Sequence, residues 1–436
     1  MTSAKGWTWP TTASVRGNSI ELYSSHLDLT QPSGGPGLIR SLSLTHAVLY
    51  GLGVTIGAGI YVLVGVAAGR AGIHAPLAFL LGALVMSFTA ISFAELGTRM
   101  PVSGSEAAYI DAAFGRRWLS IATGLLVIAT ALISAATISS GSAGYLGVFL
   151  PLPGPWLIVV VVVGMGLIAC LATAQSITVA GTMTAIEIAG LVLIIGAGFI
   201  WQDGVFSRLP EIVPPARDST AWIGILGATL IAVFAFIGFE HIVNIAEELR
   251  EPSRSLPRAL FLTLGITALV YFAVVWIAVA AVPSAELAAT PAPLALVFQR
   301  LTGLPLRVMS AIAVIATLNG IVVHLIMISR IAYGMARQGN APQVLARINS
   351  RTRTPVVATV LATALILVLA LAVPLVGLAD LASRGTLAIF VLVNLALIKL
   401  HRVSETAPPG IFVAPTWVPY AGLASSLMFI ALDWLT

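Results

Sequence analysis

Charged residues and cysteine are scarce in this 436-residue chain. Only 9% of its residues are charged, whereas a soluble domain carries about 25%, so a soluble globular protein is excluded. Its single cysteine, Cys170, excludes an internal disulfide. The six histidines show no spacing typical of metal ligands. We therefore expect neither a metal site nor a cofactor.

Long apolar runs dominate the sequence instead. Hydrophobic residues make up 58% of the chain, and the mean hydropathy is +1.01. Each run is long enough for the roughly 20 residues that a membrane helix needs. They predict an all-α integral membrane protein with about 11 transmembrane helices, at 42–69, 76–97, 118–148, 156–174, 180–201, 221–246, 258–282, 306–334, 355–374, 378–399 and 416–435.

The net charge of +5 reflects topology and not a nucleic-acid patch. With the amino terminus inside, most of the 22 Lys and Arg lie in inner segments, and the outer ones are Arg70, Arg208, Arg217, Arg300, Arg307 and Arg384. This asymmetry predicts a multi-pass protein of the cell inner (plasma) membrane with a cytoplasmic amino terminus, surrounded by lipid. Residues 1–41 lack the apolar stretch of a secretory signal and predict a disordered cytoplasmic tail.

The first ten spans divide into two sets of five. Because five is odd, the second set enters the membrane in the opposite sense, which gives an inverted repeat. We expect repeat 1 over 42–201, repeat 2 over 221–402 and an accessory eleventh helix at 416–435. After three prolines, the apolar stretch 294–298 predicts a short surface helix on the outer face.

Glycines interrupt the first span. Residues 51–65 contain five of them, including Gly57 and Gly59. A glycine inside a helix costs about 1 kcal/mol relative to alanine, so this run is poorly suited to a plain anchor. A second interruption, at 236–240, stands at the corresponding position of the second repeat. Paired interruptions indicate the substrate site of a secondary transporter, while close packing of small residues is the alternative at the first one.

The two interruptions offer opposite chemical partners. The half-helix that starts near Gly57 has a partially positive end, which suits a carboxylate. Carbonyls freed at 234–237 can accept an ammonium, and the neighbouring aromatic rings can enclose a side chain. A carboxylate and an ammonium together are typical of an amino acid. Ordinary packing remains the alternative for Phe234.

Five segments resemble motifs of the amino acid–polyamine–organocation (APC) superfamily. They are Gly57–Ile60, Ala94–Gly104, Phe234–Pro257 with its Glu247-Glu248 pair, Ser329–Gly339 and Gly385–Leu387. The resemblance spans 42 to about 402 and implies alternating access in the five-plus-five inverted-repeat fold of the bacterial leucine transporter, with helices 1 and 6 broken. It implies a substrate site at Ile56, Gly57, Ala58, Gly59, Ile60, Phe234, Ala235, Phe236 and Ile237, with Phe239 as an aromatic gate.

Two positions depart from the family pattern. Ile237 stands where many relatives have a small residue, which implies a tighter pocket or a small substrate. In many members a lysine follows Thr-x-Ile in the fifth helix and stands in for a sodium ion. Here Glu187 follows Thr184-Ala-Ile186.

Glu187 is a candidate coupling residue on physical grounds as well. An ionised carboxylate at the centre of a membrane costs at least about 2.5 kcal/mol, so it must be partnered, protonated or in contact with water. We expect Glu187 to carry a proton. Binding of a cation or of a substrate amine, and a structural role near the membrane edge, are the alternatives. Glu240 and His241 are further candidates for coupling, with a structural role as the alternative for His241.

These observations predict a permease for amino acids or related small amines, operating as a proton symporter. An amino acid exchanger and a substrate sensor without transport are the alternatives. Membrane enzymes need a catalytic cluster such as paired acids or histidine ligands, and the sequence shows none, so we expect no enzymatic activity. The oligomeric state is left open.

Overall fold

The computed structural model describes residues 42–101, 105–171, 177–201, 207–349, 352, 354–403 and 410–432. The predicted disordered tail, 1–41, lies outside the described residues. The first half of the chain forms α1 Leu44–Thr55, α2 Ala58–Ala71, α3 Ala75–Arg99, α4 Ser105–Phe114, α5 Arg117–Leu146, α6 Gly154–Leu171 and α7 Ile177–Trp201.

The second half begins with α8, Ser219–Phe236, and a 3₁₀ helix, Phe239–Glu248. The remaining helices are α9 Pro252–Ala281, α10 Ser284–Ala289, α11 Pro293–Thr302, α12 Arg307–Arg337, α13 Val356–Ala372, α14 Leu375–Val403 and α15 Val418–Ala431. Short 3₁₀ turns lie at Gly72–His74, Leu209–Ile212 and Gln343–Ala346.

The all-α membrane architecture is confirmed. Within the described ranges, eight helical segments are long and apolar enough to cross a membrane, and α1, α13 and α15 are shorter apolar helices. Each predicted span coincides with a helix or, for the first and sixth spans, with a broken pair. Helix-forming runs are this predictable because a lipid-embedded backbone must satisfy its hydrogen bonds within its own segment.

One short helix contains the apolar stretch 294–298. This helix, α11, packs against α7 and α12. Leu294 and Val297 are fully buried, whereas Arg300 of the same helix is exposed. Its apolar face therefore meets other helices, and its place on the outer face of the membrane stays a prediction.

Both expected interruptions are present, and each has its own backbone geometry. The first lies at Ile56 (φ −80°, ψ 71°) and Gly57 (φ −125°, ψ −144°), between α1 and α2. The second lies at Ile237 (φ −57°, ψ 132°) and Gly238 (φ 128°), between α8 and the 3₁₀ helix. A φ of 128° is accessible almost only to glycine, which explains Gly238.

The four half-helices pack in two pairs. α2 contacts α8, and α1 contacts the 3₁₀ helix and α9. Outside the helices, the Leu42 N–H donates to the Glu248 carbonyl (3.0 Å), and the Arg250 N–H donates to the Leu42 carbonyl (3.1 Å). The chain entering α1 is thus joined to the chain leaving the 3₁₀ helix, and the two breaks face each other in the bundle.

Candidate functional site

The two breaks touch through their glycines. A Cβ atom on Gly59 would lie 2.8 Å from Cα of Ala235, and one on Gly238 would lie 2.7 Å from the carbonyl oxygen of Val54. Real Cβ atoms do not approach so closely, so glycine is required at both positions. By contrast, a Cβ on Gly57 would have one neighbour, the Val54 carbonyl oxygen at 3.7 Å. Gly57 therefore faces open space beside the contact.

That open space is a cavity of about 40 Å³ between the breaks. Since one water molecule needs about 10–15 Å³ on this scale, the cavity has room for a few waters. Of the predicted site residues, six line it: Gly57, Gly59, Glu187, Phe234, Ala235 and Ile237. The rest of the lining is Gly53, Val54, Thr55, Ser134, Ile138, Ala316, Asn319, Gly320, Val323 and His324.

Other predicted site residues are buried away from this lining. Ile56, Ile60 and Phe236 have no exposed surface, and the Phe236 ring packs 5.1 Å from the ring of Tyr271, centre to centre. Phe239 is equally buried, and its ring centre lies 5.9 Å from that of Phe390. Ala58 begins α2, and only its backbone is described.

Glu187 lies near the middle of α7 and is fully buried. Its Oε1 accepts a hydrogen bond from Nδ2 of Asn319 on α12 (3.0 Å). Its Oε2 and the Asn319 Oδ1 are buried and have no hydrogen-bond partner among the described residues. The position of Glu187 in the cavity argues against the membrane-edge alternative. A buried, half-paired carboxylate needs a proton, a cation or water at its second oxygen.

Tyrosine hydroxyls fix the backbone around this carboxylate. The Tyr61 hydroxyl donates to the backbone carbonyl of Glu187 (2.6 Å), which joins α2 to α7. The Tyr271 hydroxyl, from α9, lies 2.7 Å from the Thr55 carbonyl and 3.0 Å from the Ala235 carbonyl. One side chain therefore serves a carbonyl at each break, and it satisfies acceptors that the broken helices leave without their usual partners.

A second cavity, of about 30 Å³, adjoins the first and shares Ser134, Ile237 and His324 with it. Its further polar lining residues are Glu106, Thr130, Glu240, His241 and Thr386. The structure thus places the predicted coupling residues in two groups, with Glu187 in the first cavity and Glu240 and His241 in the second.

Glu240 has a local structural role as well. Its Oε2 accepts a hydrogen bond from the Gly238 N–H (2.9 Å), at the start of the 3₁₀ helix. The carboxylate therefore accepts the hydrogen bond of the backbone amide that the second break leaves without a helical partner.

Sequence reasoning missed Asn319, His324 and Ser134. Asn319 and His324 both lie on α12, and both line the cavity beside Glu187. A signal was available, because a polar or ionisable residue within an apolar membrane span is by default a functional candidate. Their partners could not be read from the chain, since Glu187 is 132 positions away from Asn319.

Ion pairs tie the bundle together on both sides of the cavities. Arg70, at the end of α2, contacts Asp380 on α14 (2.7 Å) and donates to the Gly227 carbonyl on α8 (2.9 Å). At the other end of the bundle, the buried Glu95 contacts Arg99 (2.6 Å) and His401 (2.8 Å). These contacts link α2 and α3 to α14.

Comparison with known proteins points to transport. The family described as amino acid permease matches residues 42–435. A branched-chain amino acid permease of Bacillus subtilis is 29% identical over 93% of this chain and 90% of its own. The vacuolar cationic amino acid transporter 2 of Arabidopsis thaliana is 30% identical over 86% of this chain and 62% of its own. Cationic amino acid transporter 4 of Mus musculus is 29% identical over 88% of this chain and 63% of its own.

Proposed function

The chain belongs to the amino acid permease family of the APC superfamily, and from that premise we propose that it is a proton-coupled amino acid symporter. It would carry amino acids or related small amines by alternating access. One observation carries the proposal: a buried carboxylate with an unpaired oxygen, Glu187, lines the cavity where the two helix breaks meet.

The first break supplies the proposed carboxylate site. Gly57 is the N-cap residue of α2, and no side-chain hydrogen bond caps the helix there. The aligned peptide dipoles add partial positive charge at this end, which favours a substrate carboxylate.

The second break supplies the proposed amine site. The Phe234 carbonyl accepts from the Ile237 N–H (3.1 Å), and the Ala235 carbonyl accepts from Tyr271. A carbonyl has two lone pairs, so each can also accept from a substrate ammonium. Ile237 and Phe234 then bound the space for the substrate side chain. Because the cavity holds only a few waters, we propose a small substrate or an opening of these walls on binding.

Glu187 is the proposed coupling residue. When protonated, Oε2 can donate to a backbone carbonyl at the end of α1, where Val54 and Thr55 line the same cavity. When ionised, the same oxygen is repelled by those carbonyls. Its charge state therefore changes the free energy of the closed arrangement of α1 and α7, and differential stabilisation of this kind shifts a conformational equilibrium.

The membrane arrangement is proposed from the same sequence pattern. The repeats would run over 42–201 and 221–402, followed by an accessory helix at 416–435. The excess of Lys and Arg on one side favours a cytoplasmic amino terminus in the plasma membrane.

Proteoliposome transport tests the proposal. Purified protein is assayed with a panel of the twenty common amino acids, each labelled, with and without an inward proton gradient. The parent should concentrate at least one amino acid only with the gradient. Glu187→Gln mimics the protonated side chain, so exchange of internal for external substrate should persist while gradient-driven uptake fails.

Glu286→Gln is the matched control, because Glu286 pairs with Arg300 at an exposed position and lines neither cavity. It should transport like the parent. Accumulation by Glu187→Gln equal to that of the parent would show that Glu187 does not couple protons. A parent that only exchanges substrate would replace the symporter proposal with an exchanger.

A further inference from the structure

His324 stands at the junction of the two cavities. It lies on α12, lines both cavities, and is only partly buried. Its Nδ1 lies 2.8 Å from the carbonyl oxygen of Gly320, one turn earlier in the same helix. The coupling proposed for Glu187 does not involve this side chain.

The hydrogen bond to Gly320 determines which ring nitrogen can take up a proton. A carbonyl oxygen only accepts, so Nδ1 must carry the hydrogen in this contact. In the neutral ring, Nε2 then holds a free lone pair. Nε2 is therefore the atom of His324 that gains and loses a proton, while Nδ1 keeps the ring anchored to α12.

Titratable groups lie on both sides of this ring. Glu187 of α7 lines the first cavity, and Glu240 and His241 of the 3₁₀ helix and Glu106 of α4 line the second. His241 and Glu106 line the second cavity together with His324. From α5, the neighbouring groups are the uncharged hydroxyls of Ser134 and Thr130.

We propose that Nε2 of His324 carries the coupling proton between Glu187 and the acidic group of the second cavity, Glu106 and Glu240. The inference rests on the proposed proton-coupled function. In the first step, the O–H bond of protonated Glu187 breaks and an N–H bond forms at Nε2, through a water molecule in the first cavity. This leaves a carboxylate and an imidazolium. In the second step, the same proton leaves Nε2 through water in the second cavity and protonates a carboxylate there.

The cavity volumes are compatible with these steps. About 40 Å³ and 30 Å³ leave room for water on both sides of the ring, and polar linings supply the partners that ordered water needs. Because Nδ1 stays bound to Gly320, the proton enters and leaves by one atom. The direction of transfer then depends on whether Nε2 contacts water in the first cavity or water in the second cavity.

The test is substrate-driven proton entry into proteoliposomes that contain a pH-sensitive dye. The amino acid is the one that the parent accumulates most from the labelled panel of twenty. His324→Asn keeps an N–H donor near Gly320 but cannot be protonated. We expect the ratio of proton entry to substrate exchange to fall at least tenfold below that of the parent.

His74→Asn is the matched control, since Nδ1 of His74 also contacts a backbone carbonyl, that of Ile212 (3.0 Å), but the residue lines neither cavity. It should couple like the parent. His324→Gln provides a second unprotonatable variant in case His324→Asn does not fold.

Unchanged proton entry in a folded His324 variant would overturn the inference while leaving proton coupling intact. Equal loss of exchange and proton entry would overturn it too, because it would show a binding or structural role. A parent that takes up substrate without proton entry would instead refute the coupling proposal itself, and this inference with it.

Discussion

The two helix breaks meet at one cavity, but they differ in whether a side chain hydrogen-bonds to the backbone amide that each break exposes. At the first break, Gly57 is the N-cap residue of α2, and no side-chain hydrogen bond caps the helix. At the second break, the Gly238 N–H already donates to the carboxylate of Glu240 (2.9 Å). The first break thus has no side-chain cap, whereas the second satisfies its own amide with a residue two positions along the chain.

This difference separates the two breaks by proposed task. A substrate carboxylate fits the uncapped start of α2 and would be repelled by Glu240 at the second break. The second break instead contributes carbonyls and the side chain of Ile237. Tyr271 connects the two, because its hydroxyl contacts a carbonyl on each. An amino acid has one pole for each kind of break, which is why two unlike breaks suit it better than two equal ones.

The largest expected effect comes from filling the contact between the breaks. Gly238→Ala combines a strained φ with a clash against Val54, and each should cost about 1–3 kcal/mol. Gly59→Ala clashes with Ala235 without the strained φ and should cost less. Thermal unfolding in detergent, followed by fluorescence, should rank the variants in this order. Gly57→Ala is the control and should unfold like the parent, and an equal loss there would show that the contact is not specific.

Removing the Tyr271 hydroxyl should give the next largest effect. Tyr271→Phe leaves buried carbonyls at both breaks without this donor, which costs about 1–3 kcal/mol in unfolding free energy. It should also weaken substrate binding, because it loosens Ala235 at the proposed amine site. Binding is measured by scintillation proximity with the labelled substrate.

The control for that prediction is Tyr145→Phe. Its hydroxyl donates to the Tyr61 carbonyl (2.6 Å) and contacts no residue of the second break in the described structure. It should lose stability without losing affinity. Equal losses of affinity in both variants would contradict the prediction that Tyr271 affects binding through its contacts with the two breaks.

Shortening Ile237 should change selectivity more than stability. Ile237→Ala shortens a side chain that lines the cavity and so enlarges the space beside the second break. Uptake should therefore shift toward substrates with larger side chains. The expected shift in relative uptake is at least about tenfold, since a single methylene in an apolar pocket is worth about 1–3 kcal/mol and Ile237→Ala removes three carbon atoms. Competition by a size series from glycine to phenylalanine measures it. Ile60→Ala, which removes a buried side chain outside the cavity lining, should leave the ranking unchanged.

The smallest effect concerns the local cap at the second break. Glu240→Ala removes the acceptor for the Gly238 N–H and should lower the unfolding free energy by about 1 kcal/mol. Glu240→Gln retains a side-chain oxygen for that bond and should unfold near the parent. If both variants were equally destabilised, the charge of Glu240 and not its hydrogen bond would be what stabilises the break.

Much of the fold could be predicted, because membrane-spanning helices are recognisable as long runs of apolar residues. The helix breaks were also predictable, although the five glycines in 51–65 look alike in sequence. The structure separates them: Gly53 lies against the side chain of Thr184, Gly57 faces the cavity, and Gly59 abuts Ala235. Packing partners distinguish residues that composition cannot.

The cavity between the breaks contains part of the predicted site. Gly57, Gly59, Phe234, Ala235 and Ile237 line it, because they lie at or beside the breaks themselves. Phe236 and Phe239 pack against aromatic rings, since neighbouring residues at a break point in different directions. The binding and gating roles of these residues stay predictions. Asn319 and His324 went unnoticed, because a lone polar residue in a long apolar helix gives no sign of what it faces.

The sequence by itself determined the membrane-spanning helices and the positions of the breaks. Both follow from local requirements, namely that a backbone in lipid satisfies its own hydrogen bonds and that glycine permits a helix to stop. Only the tertiary structure decided that Asn319 pairs with Glu187, that Tyr271 reaches both breaks and that His324 joins two cavities. These contacts join distant helices, so they depend on how the whole bundle packs.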